Sequence, residues 1–203
     1  MSDTAAAKDA QLRRTVLTVA LLNLGYFGVE ATVAAAISSV ALFADSIDFL
    51  EDAAVNLLVL AALGWSLARR RRTGIALALL LLVPGIAALW TAGEKLFATE
   101  AIVPSPVPLT LAGLGALAVN ALAAYLLARV RKHGGSLTLA AFLSARNDVI
   151  ANVAIIAAGL ATAWLQTIWP DLVVGVGIAV MNAGAAWEVY EAAVDPDAEE
   201  ARA

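Results

Sequence analysis

Six long apolar segments dominate this chain and restrict the folds that it can adopt. The sequence has 203 residues, of which 62% are hydrophobic and only 15% are charged. A soluble domain is about half apolar and a quarter charged, so the excess apolar side chains must face lipid. A helix needs about 20 apolar residues to cross a bilayer. We therefore predict an all-α membrane protein with six transmembrane helices, at about Thr15–Ile37, Val40–Ala68, Gly74–Phe97, Leu109–Val130, Leu137–Leu165 and Leu172–Val194.

These six spans and their short loops account for almost the whole chain. The predicted organisation is an N-terminal tail at 1–14, a transmembrane domain at 15–194 and an acidic C-terminal tail at 195–203. The first span contains Asn23 and Glu30 and is longer than the apolar part of a signal peptide, so we interpret it as a retained helix. The sequence has no cysteine and one histidine, His133. Thiolate ligands, disulfides and a multi-histidine site within one chain are therefore excluded.

The basic residues predict the orientation in the membrane, because positive charge concentrates in cytoplasmic loops. Both termini, the loop after helix 2 and the loop after helix 4 carry most of them. We therefore expect both termini in the cytoplasm of a multi-pass protein, and the lysine-poor composition favours the inner membrane of a bacterium. Eleven of the 13 basic residues lie in these regions: Lys8, Arg13, Arg14, Arg69, Arg70, Arg71, Arg72, Arg129, Arg131, Lys132 and Arg202.

Acidic residues interrupt two of the apolar spans. Asp45, Asp48, Glu51 and Asp52 lie in the second span, and Asp148 lies in the fifth. A charged group near the bilayer centre costs roughly 2.5–3.5 kcal/mol on insertion scales. Such a cluster needs a compensating cation, proton or partner. This pattern points to the movement of a cation across the membrane.

The helical period places several of these groups on one face of helix 2. At about 100° per residue, Asp45, Asp48, Asp52 and Asn56 share a stripe, whereas Glu51 falls well off it. One face of helix 2 is therefore predicted to carry three carboxylates and an amide.

A complementary face is predicted on helix 5, where Ser144 and Asp148 lie one turn apart and Asn147 flanks them. If helices 2 and 5 touch, these groups meet Asp48 and Asp52 around one ion. Water or the Asn147 amide would complete the shell. Oxygen ligands of this kind are compatible with Mn²⁺, Fe²⁺ or Zn²⁺.

Several polar residues also have purely structural interpretations. The carboxylates are also compatible with protonated groups that form hydrogen bonds between helices. Asp45 lies near the predicted outer end of helix 2, which favours a helix cap. Glu30 and Asn120 are expected to form hydrogen bonds between helices, and Glu94 and Lys95 to lie at the membrane interface. Four glycines are expected to let helices approach closely: Gly25, Gly28, Gly175 and Gly177.

At these residues the chain resembles the cation diffusion facilitators, a family of proton-coupled divalent metal exporters with six transmembrane helices. In that family a His/Asp-x-x-x-Asp pair on helix 2 and another on helix 5 hold the metal. Here helix 2 offers DFLED between Asp48 and Asp52, and helix 5 offers SARND between Ser144 and Asp148. The resemblance extends over about residues 15–194.

The resemblance implies a transporter, not an enzyme, that exchanges Zn²⁺, Mn²⁺ or Fe²⁺ for protons by efflux. It implies metal ligation by Asp48, Asp52 and Asp148, with Ser144 at the position where the family has His or Asp, and with Asn147 as in manganese-type relatives. It implies no resident cofactor, no nucleic-acid partner, and a homodimer that forms through the membrane helices. We expect no counterpart of the family's cytoplasmic C-terminal domain, since about nine residues follow helix 6 in this sequence.

Two other functions are compatible with parts of the pattern. A metal-binding or structural membrane subunit that does not transport would fit the weak ligand Ser144. An intramembrane aspartyl protease would also use two buried carboxylates. That class is disfavoured because Asp148 follows Ala-Arg-Asn rather than the expected Gly-x-Gly.

Overall fold

The described part of the chain is entirely helical in a computed structural model, which confirms the all-α prediction. The model describes the backbone of residues 2–62, 75, 86, 89–130 and 135–194. Most of the predicted third span, the Arg69–Arg72 loop, His133 and the acidic tail lie outside these residues. The helices are α1 (Ser2–Ile37), α2 (Val40–Ala62), α3 (89–97), α4 (Pro106–Val130), α5 (Gly135–Leu165) and α6 (Trp169–Val194).

Three of the described helices are long and apolar enough to cross a membrane, which indicates a membrane protein. They are Ala10–Ile37, Pro106–Val130 and Ala145–Leu165, and a shorter apolar stretch covers Trp169–Met181. Helix α2 is as hydrophobic on average as α4, but it carries four acidic residues, more than an ordinary span does. The count of six spans and the cytoplasmic termini therefore stay predictions.

Helix α2 lies at the centre of the bundle. It packs against α1, α5 and α6, while α4 packs against α1 and α5. Small side chains dominate the shared core, so helix backbones approach closely and polar groups of neighbouring helices come within reach of one another. The main core cluster contains Ala34, Ala41, Leu42, Ala44, Ile47, Leu109, Ala112, Ala151, Ile155, Ile178 and Ala179.

A fully buried carboxylate, Asp171, fixes the start of α2 to α6. It accepts hydrogen bonds from the Ser39 hydroxyl (2.5 Å) and from the backbone N–H groups of Val40 (2.9 Å) and Ala41 (3.2 Å). It also forms an ion pair with the Lys95 ammonium of α3, at 3.0 Å. This side chain is buried and paired, and its expected position at the membrane interface stays a prediction. We call these five residues the Asp171 clamp.

The helix cap expected at Asp45 lies elsewhere. A connection of only Ser38 and Ser39 separates α1 from α2, so α2 already begins at Val40. The Ser39 hydroxyl accepts the Leu42 N–H at 3.1 Å, and Asp171 accepts the N–H groups next to it. Because these side chains satisfy the free N–H groups of the first turn, Asp45 has no capping role. It lies in the second turn and is fully buried.

One of the four expected close approaches occurs, where α6 crosses α2 at Gly175. A Cβ atom added to Gly175 would lie 2.6 Å from both the Ala41 nitrogen and the Val40 carbonyl carbon. Both neighbours are backbone atoms, so the helices themselves would have to separate. At Gly25, Gly28 and Gly177 an added Cβ would meet no described atom within 4 Å.

A pair of glycine substitutions tests this crossing. Gly175→Ala should destabilise the protein by roughly 1–3 kcal/mol, because it overpacks a tight contact. For a chain of this size that corresponds to a fall in melting temperature of about 2–10 °C in detergent. Gly177→Ala, two residues away in open space, is the matched control and should leave the melting temperature nearly unchanged. Equal melting temperatures for the two variants would contradict the close crossing.

Candidate functional site

The face of α2 predicted to carry carboxylates is turned into the bundle. Asp48 is 9% exposed, Asp52 4%, and Asp45 and Asn56 at most 1%. Glu51, which the period places off this face, is also buried at 8%. The helical period thus identifies the inward face correctly but does not show how completely the neighbouring helices cover α2.

Two amides surround Asp52. The Asn23 amide of α1 donates to the Asp52 carboxylate at 3.3 Å. The Asn56 amide donates to the Asp52 backbone carbonyl at 2.7 Å, which directs it along its own helix. The side-chain oxygens of both asparagines find no hydrogen-bond donor among the described residues. Each amide that contacts Asp52, one at its carboxylate and one at its backbone carbonyl, therefore keeps an oxygen without a described donor.

Asp148 of α5 faces the same region from the opposite helix. Asp148 lies close enough to Asp48 for the two carboxyl groups to interact electrostatically. The Asp148 carboxyl also lies within hydrogen-bonding reach of Asp52. The structure therefore brings Asp48, Asp52 and Asp148 into one electrostatic cluster across the contact between α2 and α5.

The other two predicted ligands lie on α5 without a described contact to this cluster. Ser144 falls within the helix, but its side chain is outside the described part of the chain. Asn147 is exposed, and its side-chain oxygen accepts a hydrogen bond from the Arg146 guanidinium at 3.4 Å. Asn147 would have to turn inward to reach the carboxylates.

The carboxylates are near one another without forming a closed ligand shell. Within the described ranges, no group of three or more His, Cys, Asp or Glu side chains is arranged to hold a metal ion. Simultaneous contact of Asp48, Asp52 and Asp148 with one ion therefore requires α2 and α5 to draw these groups closer together.

A second polar cluster lies beside the first and crosses four helices. The Asn152 amide of α5 donates to both oxygens of Asp45, at 3.0 and 2.8 Å. Its own oxygen accepts the Asn120 amide of α4 at 3.0 Å. Glu30 of α1 lies within hydrogen-bonding reach of Asp45. Asn120 thus connects two helices by a hydrogen bond, as the sequence predicts, and the bond expected of Glu30 stays a prediction.

Two residues in these clusters carry no role in the sequence-based interpretation. Asn23 of α1 donates to Asp52, and Asn152 joins α5 to Asp45. Both are amides within apolar runs of predicted spans, which is the signal that could have identified them. A polar side chain inside a membrane helix usually faces the bundle interior and has a partner there.

The fold and the site together define a helical membrane protein whose carboxylates converge from two helices inside the bundle. A family model described as the cation efflux transmembrane domain matches residues 16–195. The chain therefore belongs to the cation efflux family, the cation diffusion facilitators. Members of this family are transporters, and the match supports a divalent cation transporter. A search of curated proteins found no match.

The same substitution at two buried aspartates should have opposite effects on stability. Asp48→Asn removes one of several like charges, so the melting temperature at neutral pH should rise by about 2–4 °C for each kcal/mol gained. Asp171→Asn leaves Lys95 without its anionic partner and should lower the melting temperature. Loss of one member of a buried ion pair costs roughly 3–5 kcal/mol, although the amide retains some acceptor capacity.

The acidity of the medium separates these two effects. The increase in melting temperature caused by Asp48→Asn should be smaller at acidic pH, because protonation removes the same repulsion from the wild-type protein. Thermal unfolding of metal-free protein in detergent at several pH values measures both variants. A fall in melting temperature for Asp48→Asn at neutral pH would show that its carboxylate is stabilising rather than repelled.

Proposed function

We propose that this protein exports a transition metal ion, Zn²⁺, Mn²⁺ or Fe²⁺, in exchange for protons. The metal ligands in this proposal are the carboxylates of Asp48, Asp52 and Asp148, with Ser144 and Asn147 as additional oxygen donors. The observation that carries the proposal is the buried position of the two α2 aspartates opposite Asp148 of α5. Membership of the family supports the transport of a divalent cation independently of that geometry.

The exchange follows from the electrostatics of clustered carboxylates. Three such groups in a poorly solvated interior repel one another and resist joint ionisation. Either a divalent cation or protons must neutralise them, and the two compete for the same oxygens. A helix movement that opens the cluster first to one side and then to the other would convert this competition into antiport.

The choice of metal depends on the ligands that complete the shell. Carboxylate and amide oxygens suit Mn²⁺, and they are compatible with Zn²⁺ and Fe²⁺. The hydroxyl of Ser144 is a weaker ligand than the His or Asp that relatives carry at this position. The side-chain oxygens of Asn23 and Asn56, which have no described hydrogen-bond donor, are further candidate ligands.

The proposal includes the placement of the protein in its membrane. Residues 15–194 form six spans in the bacterial inner membrane, with the tails 1–14 and 195–203 in the cytoplasm. The metal then enters from the cytoplasmic side and leaves on the opposite side. Two copies associate through their membrane helices.

Metal flux in liposomes tests the transport function. Purified protein is reconstituted with a metal-sensitive dye inside, and uptake of Mn²⁺ and Zn²⁺ is followed under an acid-inside pH gradient. Wild-type protein should accumulate metal only with the gradient present. Asp48→Asn and Asp148→Asn should each reduce uptake to the level of protein-free liposomes, because each removes a charged oxygen ligand from the proposed site.

A matched control is available on α3, where Glu94 is exposed. Glu94→Gln makes the same change from carboxylate to amide and should transport at the wild-type rate. Unchanged uptake in both aspartate variants would overturn the proposed site. Metal binding by wild-type protein without any uptake would favour a binding subunit that does not transport.

A substitution at Ser144 tests the weak-ligand position. Ser144→Asp adds a fourth carboxylate one turn from Asp148, so metal affinity should rise by roughly tenfold or more as ligand charge increases. Isothermal titration with Mn²⁺ and Zn²⁺ measures this change. Ser105→Asp places a carboxylate at an exposed loop position and should leave the affinity unaltered. Equal affinities for wild-type and Ser144→Asp would exclude Ser144 from the ligand sphere.

A further inference from the structure

The carboxyl groups of Glu30 and Asp45 form a second acidic site that the metal ligands do not account for. Both side chains are fully buried, at 0% exposure. They lie within hydrogen-bonding reach of each other, although they come from different helices, α1 and α2. Two ionised carboxylates cannot bond to each other, because neither has a hydrogen to donate.

The hydrogen-bond partners show which of the two groups is the acceptor. Asp45 receives the Asn152 amide on both oxygens, the environment that stabilises a charged carboxylate. For Glu30, neither carboxyl oxygen finds a donor anywhere in the described part of the chain. A proton on Glu30 that is donated to Asp45 removes this deficit and one of the two buried charges at once.

We propose that Glu30 and Asp45 form a proton-binding site, a carboxyl–carboxylate pair that holds one proton and releases it when metal binds nearby. The inference rests on the proposed exchange of metal for protons and assigns one of those protons a place. Asn152 is a positioning residue in this site, because its amide holds Asp45 as the accepting member.

The surrounding groups leave the pair without a nearby positive charge in the described ranges. From α1, Tyr26 feels the charges of both carboxyls, but its hydroxyl donates to the Ala112 carbonyl of α4 at 2.6 Å. From α4, only the amide of Asn120 approaches, through Asn152. Lys95 of α3 is paired with Asp171 of α6 at the start of α2. A proton is thus the cation that this site takes.

The remaining ionisable neighbours are the carboxylates of the proposed metal site. The negative charge of Asp52 acts on Asp45, and that of Asp45 acts on Asp48 and Asp148. These charges favour a bound proton at the pair. A divalent cation between Asp52 and Asp148 would reverse the sign of this field and favour release of the proton. Metal and proton then bind antagonistically at two neighbouring sites.

The inference is tested by counting protons. Isothermal titration of Mn²⁺ in buffers of different ionisation enthalpy gives the number of protons released for each metal ion bound. Glu30→Gln should release about one proton fewer than the wild-type protein, because the Gln amide donates to Asp45 without carrying a dissociable proton. That amide preserves the hydrogen bond and so favours normal folding. Glu94→Gln, exposed on α3, should release as many protons as the wild-type protein.

Infrared spectroscopy gives a second measurement that needs no metal. Metal-free wild-type protein should show the carbonyl stretching band of a protonated carboxylic acid, and Glu30→Gln should lose part of that band while Glu94→Gln retains it. Unchanged proton release together with an unchanged band in Glu30→Gln would overturn the proton site. Absence of Mn²⁺ flux by the wild-type protein would instead overturn the proposed function, with the infrared result still deciding whether the pair holds a proton.

Discussion

The burial of several carboxylates on one helix is the constraint on which this structure depends. Helix α2 places Asp45, Asp48, Glu51 and Asp52 inside the bundle, where each ionised group loses hydration. Amides from neighbouring helices, Asn23 and Asn152, stabilise part of this charge but do not neutralise it. In the proposed function, protons or metal ions supply this neutralisation. Their binding then stabilises the bundle, which makes occupancy and conformation parts of one equilibrium.

The one described ion pair of buried side chains lies at the end of α2 and serves a different purpose. Asp171 and Lys95 neutralise each other, and Asp171 also caps the first turn of α2. The close crossing at Gly175 is part of the same contact between α2 and α6. These bonds connect α6 to the first turn of α2, whereas Asn23 of α1 and Asn152 of α5 contact Asp52 and Asp45 further along the helix.

The sequence predicts the helices and their inward faces better than it predicts the contacts between helices. Hydropathy gave the helical class, and the helical period placed Asp48, Asp52 and Asn56 on an inward face, because both depend only on neighbours along one helix. The Asp171 clamp was not predictable in this way, since Lys95 and Asp171 lie 76 positions apart and nothing local indicates their pairing. The capping role predicted for Asp45 is wrong for a related reason: one of the groups that cap α2, Asp171, lies on a helix distant in the sequence. The real caps, Ser39 and Asp171, leave it free to bond Asn152 across the bundle.

The position of α2 between its neighbours connects the two acidic sites mechanically. Asp48 and Asp52 face Asp148 of α5, while Asp45, one turn earlier, is held by Asn152 one turn further along that same helix. A shift of α2 relative to α5 must therefore change both clusters together. Helix α1 contributes Asn23 to one cluster and Glu30 to the other, so a shift of α2 relative to α1 would also change both clusters. Coupling between sites requires an element with two arrangements that both sites bias. In the proposed exchange α2 is that element, because it carries members of both acidic clusters.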